Sequence, residues 1–259
     1  MKYMIVGPGS MAIYTMIGNI VRLEEDGHLK DLREISGSSA GSLCAFSFLL
    51  GRKQLTKLVD VSLSIPVDKI FKYNITNIIK TYGCINMKKV RSSLSDFCHT
   101  MVGLSDITFE ELYKRTEVKL HIPAYSLSRA TNVYFSVDSS PSMSVIDAVC
   151  ASMSIPILMP PFEGEYLDGS ITEEIPYMPF LQRLPEDVHV LRVESGVTRE
   201  SKNFIGYIVK LVNILHSSLR HKTEIYQIKP ILIDIDVYKF NITHETKLKL
   251  YIKGYTTTL

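Results

Sequence analysis

The strongest constraint on this chain lies in its first 51 residues, where two strand–turn–helix units follow one another. Met4 to Val6 reads as a short buried strand ended by Gly7-Pro8-Gly9. From Ser10 to about Glu25 the apolar residues Ile13, Ile17, Ile20 and Val21 recur at helical spacing, and Asp26-Gly27 supplies a C-terminal stop. Glu34-Ile35-Ser36 reads as a second strand and Gly37-Ser38-Ser39-Ala40-Gly41 as a tight turn. An apolar helix then runs through Leu43, Phe46 and Leu50 to Gly51. Strands connected through helices pair in parallel, so the expectation is an α/β fold on a mainly parallel sheet.

The rest of the chain extends this pattern. Residues 53–116 read as several helices, the last opened by the capping box Thr108-Phe109-Glu110-Glu111. Val118 to Leu127 and Val133 to Val137 read as strands, and residues 143–154 as a helix ended at Ile155-Pro156. Glu165-Tyr166-Leu167 is a short strand, Val188 to Val193 a core strand and Phe204 to Leu219 a long helix. Ile231 to Val237 is a last strand, and a helix over Thr243 to Lys253 follows. No repeat or linker interrupts the chain. Residues 1–259 are therefore expected to form a single domain, with 181–259 completing a core over about 4–180.

The 46% apolar and 22% charged content is that of an ordinary globular protein. A net charge of +2 creates no field that would gather nucleic acid, and no nucleic-acid partner is expected. The cluster Lys88-Lys89-Val90-Arg91 reads as a solvated helix face. Cys44, Cys84, Cys98 and Cys150 have neither metal-ligand spacing nor a disulfide-framework pattern, so no metal is expected. The strand at the start of the chain leaves no room for a cleavable signal peptide, and no apolar run is long enough to span a bilayer. The expected location is the cytoplasm.

Gly37-Ser38-Ser39-Ala40-Gly41 is a G-x-S-x-G sequence set between a strand and a helix, the context of a nucleophile elbow. Gly37 and Gly41 would let Ser39 occupy a strained turn, and the helix N-terminus would favour negative charge at its oxygen. A glycine-rich βα turn with a packing role is the competing reading. Gly7, Gly9 and Ser10 form a second loop of this kind, read as an oxyanion loop. Pro8 lacks an N–H, so Gly9 and Ser10 are the candidate donors. A nucleotide loop is the alternative, but Ala12 stands where the third glycine would be, and a phosphate-loop lysine is missing. None of the seven histidines (His28, His99, His121, His189, His216, His221, His244) sits in a recognisable catalytic setting. Asp168 ends a strand before Gly169-Ser170, which fits either a base or an ordinary Asp-Gly turn.

Taken in order, the glycine loop, G-x-S-x-G and the late Asp168-Gly169 resemble the signature of patatin-like phospholipases. So do Ala151-Ser152-Met153-Ser154-Ile155-Pro156, Pro160-Pro161-Phe162 and Ile175-Pro176, and the likeness runs from about Met4 to Pro179. The resemblance implies a three-layer α/β/α sandwich related to α/β hydrolases but without their histidine. It implies Ser39 as nucleophile, Asp168 as base and proton acceptor, and an acyl-enzyme mechanism that uses no cofactor. Five departures stand out: Pro8 and Ala12 replace family glycines, Met11 stands in place of a basic residue, Ser170 in place of a glycine, and Glu174 in place of the common Asn.

The substrate implied is a phospholipid or another acyl lipid, reached by peripheral membrane contact; oligomeric state is left open. Ile155 to Phe162 is a candidate channel wall, and Ile65 to Ile79 a candidate cap. An esterase or thioesterase acting on small soluble acyl compounds, and a catalytically silent lipid-binding protein, are the alternative functions.

Overall fold

The computed structural model describes residues 1–197 and 228–257, with residues 206–208, 210, 211 and 214 between them. Strand β1 (Tyr3–Val6) leads through a single 3-10 turn into helix α1 (Ile13–Glu25), followed by β2 (Glu34–Gly37) and α2 (Ala40–Gly51). Both strands run parallel, with Tyr3 opposite Glu34 and Val6 opposite Gly37. Alternation along β1 divides two cores. Met4 and Val6 face the large helical core. Tyr3 and Ile5 face the opposite side, under Ile175 and Phe180.

Five helices follow: α3 (Leu55–Ser64), α4 (Val67–Ile70), α5 (Asn77–Thr81), α6 (Met87–Val102) and α7 (Phe109–Thr116). The capping box at Thr108 is formed in both directions, with the Thr108 hydroxyl accepting from Glu111 N–H and the Glu111 carboxylate accepting from Thr108 N–H. Next come β3 (Lys119–Ser126), β4 (Thr131–Phe135), α8 (Val145–Ser152), β5 (Tyr166–Asp168) and β6 (Val188–Leu191). The main sheet has the order β4-β3-β2-β1-β6, with β5 also paired to β3. Its centre is parallel and β4 and β5 are antiparallel, giving a three-layer α/β/α architecture with a mixed, largely parallel sheet.

Three strands differ from expectation, the last of them, expected over Ile231 to Val237, ending at Ile233. β4 begins two residues earlier than Val133, because its hairpin with β3 closes at Ser126–Thr131. The strand over 188–193 breaks at Arg192: β6 stays beside β1, while β7 (Val193–Ser195) leaves to pair with β8 (Ile231–Ile233) in a second sheet. The helix expected over 204–219 falls largely outside the described residues. Helix α9 (His244–Thr256) packs against α1 with backbones in contact, since a Cβ at Gly18 would run into the Tyr251 carbonyl and one at Gly254 into Thr15.

Candidate active site

Ser39 occupies the joint between β2 and α2 with φ 53° and ψ −126°, a conformation disfavoured for any residue with a Cβ. Close packing holds it there. A Cβ on Gly37 would strike the Gly41 backbone, and one on Gly41 would strike the carbonyls of Val6 and Gly7. Both glycines are thus needed for α2 to approach the strand ends. Ser39 N–H donates to the Ser152 hydroxyl at 3.0 Å, which ties the elbow to the end of α8. Its side chain, at the N-terminus of a helix buried on almost every face, is 5% exposed.

The topology explains how Asp168, 129 positions later, comes near. β2 lies along the first half of β3, ending with Ser36 opposite His121. β4 fills the other side of β3 over Ile122 to Ser126, so β5 must continue in the column of β2. Running antiparallel, β5 ends with Asp168 opposite Ala124, its C-terminus directed at the end of β2. The Asp168 carboxylate is 1% exposed. Oδ1 accepts from both the N–H (2.9 Å) and the hydroxyl (2.7 Å) of Ser170, while Oδ2 has no hydrogen-bond partner among the described residues. Burial pushes this carboxyl up to about 6; the neighbouring Ser39 hydroxyl and the two Ser170 donors pull the other way.

In the second glycine loop, Gly7 N–H donates to the Leu191 carbonyl at 2.9 Å and is committed to the sheet. Met11 N–H donates to Val237 and Ala12 N–H to Gly9. The amides of Gly9, Ser10 and Ala40 donate to no described backbone or side chain. Ser10 (φ 48°), Ser39 and Ala40 all border one cavity. The sequence reading of Gly9 and Ser10 as donors is compatible with this, and Ala40 joins them as the residue after the serine.

The wall of that cavity is almost wholly apolar. Ala40, Leu43 and Ser47 recur along one face of α2, so the space extends about 12 Å from Ser39 at ~1.5 Å per residue. Ile155, Leu158 and Met159 form part of the wall, as expected from the proline-rich stretch. Of the expected cap, Ile65, Ile70 and Phe71 line the cavity, whereas Ile75 and Ile79 turn outward.

The departures acquire physical reasons. Met11 is buried in the cavity wall, where a cation would be desolvated without a partner. Ser170 orients Asp168 through a hydroxyl that glycine lacks. Glu174 pairs with Arg192 at 3.0 Å, at the point where β6 and β7 part. Among the described histidines, His121 is bound to Glu34 at 2.9 Å and packs on Phe180, on the face of the sheet away from the large helical core, and none borders the cavity. His216 and His221 lie outside the described residues. Sequence reasoning missed Ser152 and Ser170, since a serine beside a motif carries no local sign of its partner.

Residues 6–181 match the family described as patatin-like phospholipase. An uncharacterized protein of Acanthamoeba polyphaga mimivirus is 24% identical over 244 residues, covering 86% of this chain and 80% of its own length. A probable lipid hydrolase of Invertebrate iridescent virus 6 is 21% identical over 183 residues, covering 68% and 61%. The crystal structure of VipD from Legionella pneumophila superposes with a TM-score of 0.63 at 15% identity, a likeness of fold. The match covers 98% of this chain and 65% of that one, so this chain spans just under two thirds of the VipD chain.

Proposed function

We propose that this chain, which belongs to the patatin-like phospholipase family, is a lipid acyl hydrolase that cleaves carboxylic ester bonds through a Ser39–Asp168 dyad and an acyl-enzyme. The observation that carries the reading is a conjunction: a strained serine bordering a long apolar cavity, and beside it a buried carboxylate with one oxygen unpartnered among the described residues. Such a cavity fits an acyl chain and argues against a small polar ester.

In the first half-reaction Ser39 Oγ attacks the acyl carbonyl as Asp168 Oδ2 takes its proton. The oxyanion accepts from the amides of Gly9, Ser10 and Ala40, each typically worth about 3–4 kcal/mol to the transition state. Collapse breaks the ester C–O bond, and the alcohol leaves with the proton from Asp168. In the second half-reaction water gives a proton to Asp168 as it attacks the acyl-serine. The fatty acid departs and Ser39 regains its proton. Asp168 works without an imidazole because burial has already raised its basicity toward neutrality.

Fatty acid release from phospholipid vesicles tests the activity. Wild type is expected to release fatty acid and lysolipid, and Ser39→Ala neither. A folded wild type that turns over no acyl lipid would put the silent, lipid-binding reading in its place.

A further inference from the structure

The chain leaves the cavity wall at Phe71 and returns to it at Ile85. On this excursion Ile75, Ile79 and Tyr82 are 55%, 89% and 72% exposed, and α5 has no buried residue. Three large apolar side chains exposed within eight positions form a patch, unlike isolated surface hydrophobes. Residues 68–89 also carry Lys69, Lys72, Lys80, Lys88 and Lys89 against one acid, Asp68. Among the described residues the lysine ion pairs belong to Lys2, Lys114, Lys119 and Lys249, which leaves these five unpaired. Asp68 acts on the buried Lys247 instead. Beside the excursion, a groove bordered by Lys69, Lys89, Ser92 and Asp96 shares Ile65, Ile70 and Phe97 with the cavity.

We propose that residues 72–82 form a membrane-docking lip. Ile75, Ile79 and Tyr82 enter the interface of an anionic phospholipid bilayer while the flanking lysines meet its headgroups. The Lys69–Lys89 groove is the route by which a lipid passes from the bilayer to the cavity. An apolar tip with basic flanks matches an anionic bilayer in both hydrophobicity and charge. Continuity with the cavity gives the contact a purpose. The proposal rests on the acyl-lipid reading, because a bilayer is where such a substrate is presented.

The chain contains no tryptophan, so Ile79→Trp creates a single reporter at the tip. It is best made with Ser39→Ala, so that the vesicles stay intact. With vesicles of phosphatidylcholine containing about one third phosphatidylserine, its emission is expected to shift to the blue and to be quenched by brominated lipid. Leu184→Trp, exposed near the opposite end of the sheet beside the Arg183–Glu34 pair, is the control and should stay in water. Joint Ile75→Ser and Ile79→Ser substitution is expected to weaken vesicle binding roughly tenfold or more. Hydrolysis of a short soluble ester should be unchanged. An Ile79→Trp side chain that remains in water with every vesicle, or undiminished binding by the double variant, overturns the lip. Failure of both proteins to cleave any ester overturns the proposed activity instead, and leaves the binding result readable.

Discussion

In the proposed mechanism, Asp168 gains reactivity at the expense of stability. Its burial raises the carboxyl to about 6, so the ionised form is disfavoured in the folded protein. A base must be ionised to work. The acid limb of kcat/KM is therefore expected near pH 6, with activity lost as the pH falls through it, measurable in a pH–rate profile. Stability runs the other way. A carboxyl raised on folding costs the folded state most above its folded pKa, and the cost disappears as the pH drops toward the ordinary value of 3.8. The shift corresponds to about 3 kcal/mol. Asp168→Asn, a neutral near-isostere, is accordingly expected to be inactive yet more stable than wild type by about 2–3 kcal/mol in urea denaturation at pH 8. The gain should be absent at pH 4. Asp168 was legible in the sequence only through its place in the ordered motifs, because Asp-Gly is a common turn. Its protonation behaviour was not legible, since Ser170 and the depth of burial set it.

At the scale of elements, the two turns proposed to carry the chemistry are fixed by backbone contact. This is why the first 51 residues could be read so directly: the glycines, the apolar strands and the helix spacing are all local signals. The pairing of α1 with α9 was not readable, because Gly18 and Gly254 are 236 positions apart and each looks like an ordinary helix-weakening residue. Gly254→Ala would push its methyl into the Thr15 carbonyl, and about 1–3 kcal/mol of destabilisation is expected from overpacking, read from the urea midpoint. No change would mean that the helices can part at no cost. The break at Arg192 was hidden for a related reason. Val188 to Val193 is one apolar run, and only the Glu174 and Glu194 partners of Arg192 mark the place where the strand changes sheet.

For the whole molecule, the cavity is the feature furthest from the sequence. Its wall draws on α1, α2, α4, α6 and the loop after α8, and no window of the chain contains it. Ser47 looks polar in sequence, yet it borders the apolar space two turns beyond Ser39. Ser47→Phe should fill that end and lower kcat/KM for long-chain substrates roughly tenfold or more, while short-chain esters are spared. Equal effects on both would place the acyl chain elsewhere. The central claim, that Asp168 alone activates Ser39, is tested most directly by fluorophosphonate labelling of the folded protein with peptide mapping. A single adduct on Ser39 is predicted, formed about a hundredfold or more slowly in Asp168→Asn. Labelling at another serine, or at an undiminished rate in Asp168→Asn, would contradict the dyad.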